Sequence, residues 1–438
     1  MPLRPNFLSR LLLAALLLAP PAWARLVEES SYHYPYRDPY LATTTIAIMK
    51  GREERWGDDG IRDLEAALIP GRDQVPLLEG KGRLRFRLYR NRGPAPLVVI
   101  VPGLGSSAYE GSASFVAESL VAGGFHVLVL PDPLNWNFAL AASSSGIPGS
   151  HLTDAADMYR AIRAALRQAR ERQGLEVESL GLVGLSEGAL CAAHVAKLDG
   201  ERRELRFATT LLINPPLDPL EAIHKIDQMA RLGATLTPEQ RAQVNAYAFG
   251  TGMQALRQDY DDPDYFADWD ERLRMNPTQI RYLIGAALFS AIGDTMYTIE
   301  LAQHPGVLKT PVSAGFRSVR LDEARSIGLL GYLERFLLPR LRIHAPWMTQ
   351  ESLNAESSLR TIGPSLVRSR RVFLMHNRDD ILLAPGDIDY LASLFGEQAT
   401  IYPHGGHLGN LWYGPNRRDI VDHFRRHLGA EPATEELF

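Results

Sequence analysis

The sequence predicts an α/β protein: a mostly parallel central sheet flanked by helices, with a helical insertion. Three observations carry this. Short apolar runs bounded by turn residues alternate with helix-length segments between Arg83 and Pro216, the pattern of strands joined by helical crossovers. The alternation lapses from Leu217 to Val367, where the text is helical with short breaks, and resumes over 368–430. Finally, Gly184-Leu185-Ser186-Glu187-Gly188 sits where one apolar run meets a helix.

Taken in order, "RLRFRLY" from Arg83 alternates polar and apolar residues as a half-buried strand does, and "PLVVIVPGLGSS" is a continuous apolar run suited to a strand covered on both faces. "SASFVAESLVAGG" reads as a helix stopped by Gly123 and Gly124, and "FHVLVLPD" as the next strand. A helix from about Asp154 to Gln173 places Ala155, Met158, Ile162 and Leu166 on one side and ends at Gly174. Strand "ESLGLVGLS", helix "EGALCAAHVAKLD" and strand "RFATTLLINPP" complete the first part of the core. Residues 217–367 are then expected to form a helical cap. Within it Leu283 to Gly293 is apolar all round yet too short for a membrane that needs about 20 residues, so it is expected to pack inside the cap. The core returns with "SRRVFLMHNRDD", a helix around Ile388 to Phe395, "ATIYPHGGHLGN" and a helix from about Arg418 to Leu428. Residues 25–82, with "SYHYPYRDPY", show no sustained periodicity and are read as an N-terminal extension, and 431–438 as a tail.

Composition narrows the function. The 438 residues are 45% hydrophobic, enough for a large core, and 47 basic residues against 51 acidic ones are mixed along the chain. No field strong enough for nucleic acid or anionic lipid results. The first 24 residues place Arg4 and Arg10 before an apolar stretch and end on Ala22-Trp23-Ala24, which reads as an export signal cleaved after Ala24. A periplasmic or secreted mature chain without a transmembrane span is expected. Cys191 is the sole cysteine, so no internal disulfide forms, and it is expected to be a buried thiol.

The pentapeptide around Ser186 fits G-x-S-x-G in the context that motif requires, between a buried strand and a helix. Small residues flank the serine because so sharp a turn brings backbone against backbone. A serine hydroxyl becomes nucleophilic only when a base takes its proton and a third group aims the base. Asp379 and Asp380 directly after one strand, and His404 and His407 in a glycine-bearing loop after the next, supply both in the order serine, acid, histidine.

In "VPGLGSS", "GLSEG", "HNRDD" and "GGHLGN", in that order, the chain resembles the α/β-hydrolase superfamily of serine esterases and lipases, in its exported versions with a large cap. The resemblance covers roughly 83–216 and 368–430. It implies an α/β-hydrolase fold, Ser186 as nucleophile and His407, after Gly406, as base. Asp380 is the first choice of acid and Asp379 the alternative. It also implies an oxyanion hole from the backbone N–H groups of Glu187 and Leu104. Two positions depart from the family pattern: Pro102 stands where a histidine is common, and Glu187 where many relatives carry a neutral residue. The Glu187 side chain is expected to point away from substrate.

Other readings of these residues are weaker. Zinc sites bring three or four ligands at tight spacing, and glycines 405 and 406 make His404 and His407 poor partners, so no metal is expected. The glycine-bearing junctions lack the P-loop lysine and the dinucleotide G-x-G-x-x-G, so no organic cofactor is expected either. Asn135, Trp136 and Asn137 follow the carboxyl end of a strand and are read either as pocket lining or as a loop pinned by a buried tryptophan. The expected activity is hydrolysis of a carboxylic ester, a small-molecule acyl substrate, through an acyl-enzyme. The alternatives are a peptidase or amidase of the same fold, and a catalytically silent ligand-binding relative, which Pro102 and Glu187 would favour.

Overall fold

The computed structural model describes residues 23–49, 60–109, 111–248 and 269–429. The expected signal is thus outside the described residues save for Trp23 and Ala24, and the tail 431–438 lies wholly outside them. Nine strands form one sheet: β1 (Arg25–Leu26), β2 (Ile61–Ala66), β3 (Leu84–Tyr89), β4 (Ala95–Val101), β5 (His126–Val129), β6 (Val177–Leu185), β7 (Thr209–Ile213), β8 (Val372–Asn377) and β9 (Ala399–Tyr402). Their spatial order is β1-β9-β8-β7-β6-β4-β5-β3-β2. Every pairing is parallel except those of β3, which runs antiparallel to both β2 and β5.

Strand periodicity divides the core into two layers. Leu97, Val99 and Val101 of β4 join Leu182 and Leu212 on one face, and Val98 and Ile100 join Val183, Leu211 and Ile213 on the other. All seven residues of β4 are buried, as a strand covered by helices on both sides must be. Each such Val, Ile or Leu contributes about 1.5–3 kcal/mol of burial.

The main helices are α1 (Pro39–Thr44), α2 (Gly111–Ala122), α3 (Trp136–Ala141), α4 (His151–Gln173), α5 (Glu187–Arg202), α6 (Pro219–Arg231), α7 (Pro277–Gln303), α8 (Leu359–Arg368), α9 (Asp387–Phe395) and α10 (Gly414–Leu428), with shorter turns of helix between them. Helices α4, α5, α8 and α9 cover one face of the sheet, and α2 and α10 the other. This is the expected fold class, a mostly parallel sheet between helices in the α/β-hydrolase strand order.

Three boundaries differ from the sequence reading. Residues 25–82 are no separate extension: β1 pairs with β9 and β2 with β3, so this segment supplies both sheet edges. The helical insertion ends before 367, because Leu359, Ile362 and Leu366 of α8 pack into the sheet core. The apolar stretch 283–293 belongs to α7, which spans 27 residues. Among the described residues α7 is the one helix that is long and apolar enough to cross a membrane, and 56% of its most apolar window is buried. Ile284, Ile292, Met296 and Ile299 pack it into a third apolar cluster with α6 and the helices around Phe336.

Candidate active site

Ser186 lies between the end of β6 and the start of α5 at φ 55°, ψ −120°, a conformation that side chains other than glycine rarely adopt. Backbone contact forces this turn. A Cβ on Gly184 would sit 2.2 Å from the Gly188 carbonyl oxygen, and one on Gly188 would sit 2.0 Å from that of Pro102. The Ser186 N–H donates to the carbonyl of Ile213 at 2.9 Å, tying the elbow to β7.

His407 Nε2 is 2.6 Å from Ser186 Oγ. On the other side of the ring, Nδ1 is 2.9 Å from Asp380 Oδ2 and 3.1 Å from Oδ1. Asp380 is held by donors of its own: the Leu382 N–H on Oδ1 and the Asn214 side-chain amide on Oδ2, at 2.9 and 2.8 Å. Burial alone would raise its pKa, but His407, with His376 and the Leu382 N–H, holds it below the usual carboxylate range.

Asp379 does something else. Its oxygens accept from the Gly406 and Gly405 N–H groups at 2.9 and 3.3 Å, so it braces the loop that carries His407. His404 turns away from the ring of His407 to meet Glu29 at 2.8 Å. The loop has a second clamp: the His407 N–H donates to Thr43 Oγ1, which donates to the Pro39 carbonyl, at 2.9 and 2.6 Å. Tyr34 and Thr45 both donate to the Gly409 carbonyl, and Tyr32 bridges Asn410 and Asn416. The tyrosine-rich stretch without periodicity thus holds the histidine loop from below.

Gly103 lies beside the serine, and a Cβ there would make ordinary contact with Ser186 Cβ at 3.4 Å. Neither the Leu104 nor the Glu187 N–H has a hydrogen-bond partner among the described residues. Glu187 directs its carboxyl toward His151, 3.3 Å from Nε2, and toward Asp132. A cavity of about 200 Å³ opens over Ser186 and His407, lined mostly by aliphatic side chains of the cap such as Leu220, Ile223, Ile226 and Leu333.

Asn135, Trp136 and Asn137 do not line that cavity. Asn135 caps α3 and donates to the Gly105 carbonyl, Asn137 bonds the backbone of Arg83 and Arg85, and Trp136 is only partly buried. The loop is pinned by asparagines, because a side-chain amide can satisfy neighbouring backbone groups where a tryptophan cannot. Cys191 is buried on α5, and burial pushes its thiol pKa well up. Sequence reading missed Thr43, Asn214, Asp132 and His151. Asn214 carried one available signal, a polar residue at the end of an apolar strand beside the one that leads to Asp380.

The strand order with its lone reversed strand, and the elbow at the end of β6, define a protein of α/β-hydrolase fold. No family model and no curated protein sequence matches the chain. Among solved structures it is similar to an acylaminoacyl peptidase from Pyrococcus horikoshii, at 12% identity and TM-score 0.42, over 86% of this chain and 43% of that one. The chain therefore spans less than half of that enzyme. It is also similar to an esterase from the fungus Rhizomucor miehei, at 12% identity and TM-score 0.42 over 98% of both chains. An esterase from the archaeon Pyrobaculum calidifontis is 15% identical, with TM-score 0.39, over 98% of this chain and 99% of its own.

Proposed function

We propose that the protein is a serine hydrolase that cleaves carboxylic esters through an acyl-enzyme on Ser186. The supporting observation is the continuous relay from Ser186 Oγ through both ring nitrogens of His407 to Asp380. His407 Nε2 takes the hydroxyl proton as Oγ attacks the ester carbonyl, and Asp380 holds the ring in the tautomer with Nδ1 protonated. The oxyanion so formed accepts from the Leu104 and Glu187 N–H groups, fixed in advance and free of other partners. His407 then gives its proton to the departing alkoxide. A water molecule, deprotonated by the same nitrogen, attacks the acyl group and releases the carboxylic acid with Ser186 restored.

The apolar cavity beside the serine supports an acyl chain as the group held. Its volume, about 200 Å³, is below the ~300–1,000 Å³ of sites for drug-sized ligands, which favours short and medium chains over bulky lipids. Export follows from the N-terminal signal, so the mature chain would start at Arg25, act in the periplasm or outside the cell, and cross no membrane. N-terminal sequencing of the protein recovered from outside the cytoplasm tests this.

The function is tested with a fluorophosphonate probe and a panel of p-nitrophenyl esters and aminoacyl p-nitroanilides. Labelling at Ser186 with ester turnover is expected. Turnover of the anilides alone would move the assignment to a peptidase or amidase, and folded protein that neither labels nor turns over would make it a binding protein.

A further inference from the structure

Behind the loop carrying Leu104 lies a group of buried acids and histidines that the serine relay does not touch. Asp132, just beyond β5, is fully buried, and its Oδ1 accepts from the Gly105 and Leu134 N–H groups at 2.8 and 2.9 Å. Asn135 donates to the Gly105 carbonyl at 2.9 Å. Gly105 is therefore gripped at both ends of its backbone, in a left-handed conformation at φ +69° with the Ala291 side chain against it. Leu104, the preceding residue, has its N–H left free.

The second oxygen of Asp132, Oδ2, has no donor among the described residues. Neither has Glu187 Oε2, and both atoms are shut off from solvent. The two carboxyl groups lie near enough for each to shift the other's pKa. Two ionised carboxylates in one dry site repel, whereas one proton between them removes the repulsion and supplies the donor that both oxygens lack. The surroundings agree. Burial and the charge of Glu187 raise the Asp132 pKa well above the carboxylate range. Burial would also raise that of Glu187, but the Asp132 proton and His151 keep it low. His194 lies against His151 with ring centroids 5.5 Å apart, and Asp154 on α4 and Cys191 on α5 feel the charge of Glu187.

We propose that Asp132 and Glu187 share one proton and act together as a positioning pair, locking the loop through Gly105 so that the Leu104 N–H points at the oxyanion formed on the Ser186 adduct. The inference rests on the serine-hydrolase reading and adds a role for the acid that departs from the family pattern. Glu187 would serve the oxyanion twice, directly by its backbone and indirectly by its side chain.

The test compares Asp132→Ala and Asp132→Asn with the wild type, measuring kcat, KM and thermal unfolding on a p-nitrophenyl ester. Loss of the grip on Gly105 should lower kcat of Asp132→Ala by about ten- to a hundredfold with KM within about twofold, since the donor acts on the transition state. Asparagine presents a carbonyl to the two N–H groups and a permanent donor to Glu187, so kcat of Asp132→Asn should return to within about threefold of wild type. Wild-type kcat in a folded Asp132→Ala, or an Asp132→Asn as damaged as the alanine variant, overturns the proposal. Should Asp132→Ala not fold, Asp132→Asn decides by the same criterion. The shared proton has its own signature, a protonated-carboxyl infrared band at neutral pH that Asp132→Asn lacks. Absence of that difference overturns the pair even in a protein that proves to hydrolyse nothing, whereas failure of wild-type turnover and labelling counts against the hydrolase reading alone.

Discussion

Replacing Asp380 by asparagine should nearly abolish activity while leaving the fold intact, and the hydrogen bonds show why. Both carboxylate oxygens already serve a second donor: Leu382 N–H on Oδ1 and the Asn214 amide on Oδ2. An amide NH₂ on the Oδ1 side would face a backbone N–H that cannot turn. It must therefore take the Oδ2 side, where Asn214 can rotate its own amide and become the acceptor. That NH₂ now points at His407 Nδ1, 2.9 Å from where Oδ2 was. Nδ1 has to accept, so the ring proton moves to Nε2, 2.6 Å from Ser186 Oγ. The imidazole then donates to the serine it should deprotonate. The same exchange in a Ser-His-Asp triad lowers kcat about 10⁴-fold, or about 5.4 kcal/mol of barrier. Steady-state hydrolysis of a p-nitrophenyl ester measures kcat, with KM and the unfolding temperature as controls. Asp379→Asn is the companion variant. It loosens only the brace on Gly405 and Gly406, and kcat should fall by about tenfold or less. An Asp380→Asn enzyme that keeps a tenth of wild-type kcat, or an Asp379→Asn enzyme that loses as much as Asp380→Asn, would refute the assignment of the acid.

Gly188→Ala should cost about 3 kcal/mol or prevent folding, because the new methyl would lie 2.0 Å from the Pro102 carbonyl oxygen; urea unfolding reads this directly. Stability should fall as pH drops below about 6.5, before the carboxylates titrate. Burial lowers the pKa of His194 and His423 to about 3, so between 6.5 and 3 the unfolded chain binds protons that the folded one refuses. Each contributes a slope of about 1.4 kcal/mol per pH unit, and a His423→Phe variant should show a shallower loss of unfolding temperature on acidification. In the cap, Arg320 and Glu300 form a buried ion pair at 3.1 Å, and Arg320→Ala should cost about 3–5 kcal/mol by stranding the carboxylate. Ala222 lines the cavity, and Ala222→Phe should cut turnover of medium-chain esters far more than that of acetate esters. Equal losses on both would show that the acyl chain lies elsewhere.

Legibility in the sequence followed the physics of each part. The strands from β4 to β9 announce themselves because a strand buried on both faces is apolar along most of its length. Ser186 announces itself because its turn tolerates only small neighbours. Strands β1 and β2 gave no such sign: one is two residues long, the other, Ile61–Ala66, carries three charged residues, and both gain their place from a partner strand and not from their own pattern. The end of the cap was misjudged for a related reason. Helix α8 has the same amphipathic period as cap helices, and only its contact with the sheet distinguishes it.

His407 illustrates the limit best. His407 could be named from its chain order and its glycines, yet its position depends on Thr43 and on the tyrosines at 32 and 34, more than 360 residues earlier. A loop with glycines at 405, 406 and 409 has no stiffness of its own. Its neighbours must supply it, and they do so from two directions: Asp379 and Asn377 from the end of β8, and the N-terminal segment from below. Close backbone approach explains why glycine is needed there, since a Cβ at 406 or 409 would fall about 2 Å from the carbonyl of Pro39 or Ala42. The N-terminal segment therefore helps to position His407. At Arg25–Leu26, β1 pairs with the very strand that leads into the histidine loop, so the fold of the first described residues and the placement of His407 are one structural problem.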